Sequence, residues 1–283
     1  MTTLHSQARS RRITTTFFFV IIALGAATML VPFLWMISTS LKTASDAFAF
    51  PPEWIPNPVD WANFVEVWDV VPLASGLLNS ALVTALVVGV GTFSTTMAAF
   101  AFAKLNFPFK GLFFGALLAT IMVPVVVVII PQFVVYANVG WIDTLLPLFV
   151  PGMLGNVLML FFLRQYMMGL SNELLDAGKI DGASFFRIYW SIFLPLCRPA
   201  IAANVIIVFM ATWNDYLGPL IFTNSPENST VQLVIASLTS YYAEQTDFPI
   251  VMAASVIAVL PVIIIFAFMQ RHFVDSFVLS GIK

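Results

Sequence analysis

"ELLDAGKIDGASFFRIYWSIFLP", Glu173–Pro195, gathers Glu173, Asp176, Lys179, Asp181 and Arg187 into one short stretch of a 283-residue chain that is 60% hydrophobic and only 9% charged. Ordinary soluble domains are about 45–50% apolar and about 25% charged. The composition therefore points to a membrane-embedded chain, and the polar stretch is either a solvated loop or a docking surface between apolar runs. A net charge of −2 leaves no basic field for nucleic acid. A lone cysteine, Cys197, excludes an intrachain disulfide and a cysteine-based zinc cluster, and His5 and His272 stand at opposite ends of the sequence. No glycine-rich phosphate loop of the form G-x-x-x-x-G-K-[ST] occurs, so no nucleotide or other cofactor is expected on this chain.

Working outward from the polar stretch, the apolar runs set the architecture. A helix needs about 20 apolar residues to cross a bilayer. Ile13–Leu41, Val70–Ala103 and Phe248–Gln270 carry no charge, and each fits one span. Gly111–Leu163 carries only Asp143 and fits two, with a turn near Asn138–Thr144, while Pro199–Phe222 is interrupted only by Asp215. The expectation is an all-α integral membrane protein, a single transmembrane domain over residues 1–283. Its six spans are expected near 15–39, 76–100, 111–131, 145–164, 199–222 and 249–270. Residues 165–198 form the loop between spans 4 and 5.

Six spans place both termini on one side. Arg9, Arg11, Arg12, Lys104, Lys110, Arg164, Lys179, Arg187, Arg198, Arg271 and Lys283 then share that side, 11 of the 12 basic residues, and only Lys42 falls opposite. The excess of Lys and Arg makes the loaded side cytoplasmic. The apolar run after Arg12 reaches Ile37, too long for a signal-peptide core, so an uncleaved first span is expected. On the other side, "PPEWIPNP" (Pro51–Pro58) reads as an extended connector and "WANFVEVW" (Trp61–Trp68) as a short interfacial helix.

Within the polar loop, Ser171 or Asn172 is placed to cap a helix opening with Glu173, an acid suited to the positive end of the dipole. Leu174, Leu175, Ala177 and Gly178 give it a smooth face. Asp181-Gly182 is a turn signal, and Ser184 caps a second helix running through Tyr189 into Leu194-Pro195. Spacing predicts a helix–turn–helix on the cytoplasmic face; it does not separate a solvated loop from a docking element.

Asp176-Ala177-Gly178, Gly182, Ile192, Leu194 and Pro195 together resemble the E-A-A-x₃-G-x₉-I-x-L-P loop in the membrane subunits of binding-protein-dependent ABC importers. Lys179–Ser184 is similar to the carbohydrate-uptake branch, the type related to the smaller maltose permease subunit. Asn79-Ser80, Ala98–Pro108, Pro124, Pro131, "GWIDT" (140–144), "WNDY" (213–216) and "MAASVIAVLP" (252–261) fit the same resemblance, which covers the chain from about Leu41 onward. The sequence departs from the pattern in reading Asp-Ala-Gly for Glu-Ala-Ala, and glycine inside a helix costs about 1 kcal/mol relative to alanine.

The resemblance implies a permease subunit of an ATP-driven sugar importer, without catalytic residues of its own, in the cell membrane. It implies a second, homologous permease subunit, two ATPase subunits that hold ATP and Mg²⁺, and an extracytoplasmic sugar-binding protein. The loop would be the coupling element, with Glu173, Asp176, Ala177, Gly178, Asp181, Gly182, Ala183, Arg187, Leu194 and Pro195 as ATPase-docking residues. The tail residues Gly281, Ile282 and Lys283 would reach toward the ATPase.

Other features carry their own alternatives. Trp213, Asn214, Asp215 and Tyr216 are candidates for the translocation path, with aromatic faces and polar groups suited to a sugar; an interhelical structural role is the competing reading, favoured for Asp215. Pro124 and Pro131 suggest a bent third span. A permease for another solute, such as a glycerol phosphate ester, is the alternative within transport, although the spans offer no basic residue for phosphate. A stand-alone secondary transporter or channel would call for an internal repeat and mid-membrane acids, and an intramembrane enzyme for a catalytic group set; neither pattern is evident.

Overall fold

The computed structural model describes residues 2–240 and 247–280, with side chains from 14 to 240 and from 247 to 270. The described residues are helical with no strand, and they fall into two compact units: 1–71 with 238–257, and 72–237 with 258–283. Four helices are long and apolar enough to cross a membrane, Thr14–Ser40, Leu73–Lys104, Leu146–Met168 and Phe248–Gln270. Two bent pairs bring the number to six if each pair forms one span.

In the first unit, α1 (Thr2–Ser40) exposes its apolar side chains over the whole of its most hydrophobic window. Its far end is anchored. Ser38 Oγ donates to Trp54 O at 2.6 Å, Trp35 packs edge-on to Trp54, and Asn63 Nδ2 donates to the carbonyls of Ser40 and Lys42. Asn63 opens α2 (Asn63–Val70), the short helix expected around "WANFVEVW". The proline-rich connector before it is non-helical, as its missing N–H groups require.

The second unit is built around α3 (Leu73–Lys104). Beside it come α4 (Lys110–Ile121), α5 (Val125–Asn138), α6 (Leu146–Met153) and α7 (Val157–Met168), then α8 (Glu173–Ile180), α9 (Phe185–Ile188) and α10 (Leu194–Leu196). The unit continues through α11 (Arg198–Trp213), α12 (Leu217–Phe222) and α13 (Val231–Leu238), and takes in the later part of α14 (Phe248–Ser280). Apolar groups have no hydrophobic drive to associate in lipid, so helix pairs there depend on close packing of small residues. Gly91 shows this: a Cβ on it would lie 2.5 Å from the carbonyl oxygen of Gly152, so α3 and α6 touch backbone to backbone. Nearby, Thr95 Oγ1 donates to Gly91 O and accepts from the N–H of Asn156, the residue that caps α7.

Two expected spans are corrected. The third, near 111–131, is broken at Met122–Pro124, and α4 and α5 meet at 100°. Pro124 takes the extended conformation ahead of α5, since proline gives no N–H and also restricts the residue before it. Pro131 lies inside α5 without breaking it. The fifth, near 199–222, is not one helix. α11 ends at Trp213, and Asp215 Oδ1 accepts the N–H of Gly218 to start α12 as a separate turn.

The Gly91–Gly152 contact generates a prediction. Gly91→Val pushes a side chain into a backbone oxygen, and overpacking costs about 1–3 kcal/mol. Thermal unfolding in detergent should occur at a lower temperature for Gly91→Val and at an equal or higher one for Gly111→Ala, whose added Cβ meets nothing within 4 Å and which replaces a glycine in a helix. Equal midpoints for both variants would show that the two helices do not depend on this contact.

Candidate functional site

The loop after α7 folds as a helix–turn–helix. Ser171 Oγ accepts the N–H of Glu173, capping α8, and Glu173 and Asp176 lie in its positive first turn. Asn172 does not cap; its Oδ1 instead accepts from Lys104 Nζ at 2.8 Å. The end of α8 is a Schellman closure: Ala183 N–H donates to Gly178 O, Gly182 N–H donates to Lys179 O, and Gly182 has φ +74°. Gly182 therefore sits where a side chain is strained by the backbone, while the space around it is open. Ser184 Oγ then accepts the N–H of Arg187 and caps α9. The helical course widens into a π turn over Tyr189–Phe193, ahead of Pro195, which has no N–H to give. Phe185–Leu196 meets α11 at 81°.

The two arms are not a free loop. Leu175, Ile188, Tyr189, Phe193 and Cys197 are buried in one apolar cluster with Ala99 and Phe100 of α3, Leu163 and Met167 of α7, and Ala200 of α11. Tyr189 OH shares a 2.9 Å hydrogen bond with Thr96 Oγ1. Lys104 Nζ, at the end of α3, donates to Leu170 O at 2.7 Å as well as to Asn172. Arg164 Nε donates to Phe102 O with its guanidinium over Phe114, and Lys110 Nζ donates to Leu105 O, so these cations mark one end of the unit.

The structure distributes the expected docking residues unevenly. Glu173, Asp176, Ala177, Asp181 and Arg187 are exposed, and Asp176 pairs at 3.4 Å with Lys179, an exposed contact worth little by itself. Gly182 is exposed at the turn, and Ala183, Leu194 and Pro195 are half-buried. Gly178 turns inward: a Cβ there would lie 2.8 Å from Ile188, so this glycine lets the two arms close on each other and is withdrawn from the exposed face. The tip also presents Ile180, 86% exposed, with Phe185 and Phe186. Sequence reading passed over these three because apolar residues carry no signal in so apolar a chain. Gly281, Ile282 and Lys283 lie outside the described residues.

Trp213 is not available to a solute. It is 4% exposed, its Nε1 donates to Ala258 O at 3.1 Å, and its ring stacks on Phe209. Asn214 and Tyr216 are exposed; Asn214 Nδ2 donates to Met210 O, and its Oδ1 accepts from Gln232 Nε2. Asp215 is half-buried and capped onto Gly218.

A second constellation was hidden in the sequence. Asp143, at φ +60°, donates its N–H to Phe222 O. Its carboxylate accepts from the N–H groups of Asn224 and Ser225 and from Ser225 Oγ, while Asn228 Nδ2 donates to its carbonyl. From the start of α3, Asn79 Nδ2 donates to Glu227 O and Ser229 O, and Ser80 Oγ accepts the N–H of Val231. "GWIDT" and Asn79-Ser80, far apart in sequence, thus clamp one segment, 222–231. These donors, led by the Ser225 hydroxyl, hold the Asp143 carboxyl well below the usual carboxylate range.

A depressed pKa contributes stability that is present above the unfolded value and lost only as pH falls through the folded one. Lowering the pH from about 7 to about 5 should therefore leave amide protection at Asn224 and Ser225 unchanged once intrinsic exchange is corrected. Asp143→Ala should abolish it at both values. Hydrogen exchange decides the matter, and protection that survives Asp143→Ala would show the clamp to be idle.

Comparison with known proteins places this geometry. Residues 91–278 match the family described as the binding-protein-dependent transport system inner membrane component. The chain is 33% identical over 267 residues to an sn-glycerol-3-phosphate transport system permease of Yersinia pestis, covering 92% of this chain and 94% of that one. It is 31% identical to a lactose transport system permease of Rhizobium radiobacter (93% and 94% covered) and to an arabinooligosaccharides transport system permease of Bacillus subtilis (96% of each). A bacterial ABC transporter that imports the acidic polysaccharide alginate shares the fold, with a TM-score of 0.79 at 21% identity over 94% of this chain and 98% of that one. The family match over residues 91–278 and the relatives that cover most of the chain lead to one conclusion: this chain belongs to the inner membrane components of binding-protein-dependent transport systems.

Proposed function

We propose that this chain is one of two homologous permease subunits of an ATP-driven sugar importer and that 173–196 is the element through which a cytoplasmic ATPase drives it. The observation that carries the proposal is the burial of Ile188, Tyr189 and Phe193 among α3, α7 and α11, with Ile180, Asp181 and Gly182 left at an exposed tip. A force applied at the tip reaches the spans because the arms share their core. In this reading the chain is non-catalytic; two ATPase subunits bind ATP and Mg²⁺, and an extracytoplasmic binding protein delivers the solute. The basic end carrying Lys104, Lys110 and Arg164 is cytoplasmic by the positive-inside rule, which puts both termini there and the 222–231 segment outside.

The relatives transport a glycerol phosphate ester in one case and uncharged sugars in others. The choice of a neutral sugar rests on charge. Lys42 is the one basic residue assigned to the outer side, and it is buried, 1% exposed, with its Nζ 4.2 Å over the Trp35 ring. A phosphate arriving from the outer side would lack a free cation there on this subunit. Stimulation of ATP hydrolysis by lactose or arabino-oligosaccharides, and not by sn-glycerol-3-phosphate, in the reconstituted transporter supports the sugar assignment; the opposite pattern overturns it.

The docking role makes a sharper prediction. Interface anchors cost at least about 2 kcal/mol when removed, which is more than tenfold in affinity. Ile180→Asp should weaken ATPase binding by at least about tenfold, and Gly182→Leu should do the same through the strained turn, with both variants still inserted in the membrane. Pull-down of the ATPase at wild-type yield by either variant would remove the tip from the interface.

Topology is tested separately. In a Cys197→Ser background, a cysteine at position 184 should react with a membrane-impermeant thiol reagent only after the cells are opened, and one at position 227 should react in intact cells. Labelling of position 184 from outside would invert the orientation.

A further inference from the structure

Where the lever meets α11, a cavity of about 600 Å³ opens between α3, the Tyr189–Pro195 segment, α11 and Met269 of α14. That volume lies within the range of small-molecule sites, about 300–1,000 Å³. Its wall is largely apolar: Gly89, Phe93, Leu194, Ile201, Ala202 and Val205 contribute. The hydroxyls on the wall are already engaged. Thr96 Oγ1 bonds Tyr189 OH and the carbonyls of Thr92 and Phe93, and Thr92 Oγ1 accepts from Asn204 Nδ2. A sugar placed there would find few free partners. Arg198 lines the cavity and is exposed, with no acid paired to it among the described residues, and Trp190, also on the lining, is exposed too.

We infer that this cavity holds an acyl chain of an anionic phospholipid whose headgroup rests on Arg198. From Arg198 to Val205 along α11 is seven residues, and at 1.5 Å per residue the slot runs about 10 Å inward from the charge. A cation and an exposed tryptophan at the rim with an apolar slot behind them match the order of headgroup, interface and hydrocarbon in a leaflet. Charge complementarity selects an anionic headgroup over a zwitterionic one. The position matters because Tyr189–Pro195 leads into the 81° bend before α11: an occupied slot braces that bend, and an empty one leaves it free to flex. The inference rests on the orientation proposed above for its leaflet, since Arg198 would then face the cytoplasmic one.

The test uses the complete transporter in phosphatidylcholine nanodiscs containing a small fraction of photoactivatable phosphatidylglycerol, with anionic lipid in both leaflets so that the result does not depend on orientation. Cross-links should map to 89–96 and 189–205. A surface arginine contributes enough attraction that Arg198→Gln should lower this labelling about fivefold, and Arg198→Lys should retain most of it. Val205→Trp should remove the labelling by filling the slot without altering charge. Labelling by a phosphatidylcholine probe should not respond to Arg198→Gln. Equal labelling by both probes, indifference to Arg198→Gln, or cross-links from the slot only to the second permease subunit would overturn the lipid site. Solute stimulation of ATP hydrolysis is read independently, so failure here is distinct from failure of the sugar assignment.

Discussion

The joining of the polar loop to the long helix α3 depends on the burial of Tyr189. The side chain is enclosed by Phe100, Phe93 and Phe186, and its hydroxyl is bound to Thr96. Tyr189 belongs to the polar loop, and Thr96 and Phe100 to a helix long enough to cross a membrane. One residue therefore makes a surface element and a span into one body. An unsatisfied hydroxyl in so apolar a site would cost several kcal/mol, so the Thr96 bond fixes the register as well as the contact.

The same requirement recurs at each place where polar groups enter the apolar interior. Thr95 serves the backbone of Gly91 and Asn156, Asn204 reaches Thr92, and Lys104 closes the carbonyl of Leu170. Apart from the Thr95–Gly91 bond, which lies within α3, each crosses between elements distant in sequence. Together they make the helix ends stiff where the helix–turn–helix attaches. At the opposite end, Asp143, Asn79 and Ser80 hold 222–231 by the same means, so the unit is braced at both ends and packed through small residues between them.

In the proposed role, this arrangement would let a transport subunit transmit movement. A free loop would dissipate a push at Ile180 in its own flexibility. Arms closed on each other through Gly178 and Ile188, with the Schellman turn at Gly182, would carry such a push to Cys197 and the 81° joint with α11. The joint lies beside the cavity near Arg198, which is where a lipid would bear on the motion.

The sequence by itself determined the helical class, the membrane setting and the helix–turn–helix, because long uncharged runs, Ser184 before a helix and Asp181-Gly182 at a turn are local signals whose physics needs no partner. It also determined the exposed acids of the loop. Only the tertiary structure decided the rest. Gly178 looked like part of a docking face until Ile188 was seen to need its missing Cβ, and Trp213 looked like a sugar platform until Ala258 took its N–H. The break at Pro124 and the continuity through Pro131 look alike in sequence, since a proline states only that an N–H is absent and not whether neighbouring helices make good the loss. Asn79, Ser80 and Asp143 were legible as motifs but not as one clamp, because hydrogen bonds across some 80 to 150 residues depend on how the helices pack, and periodicity along the chain carries no record of that.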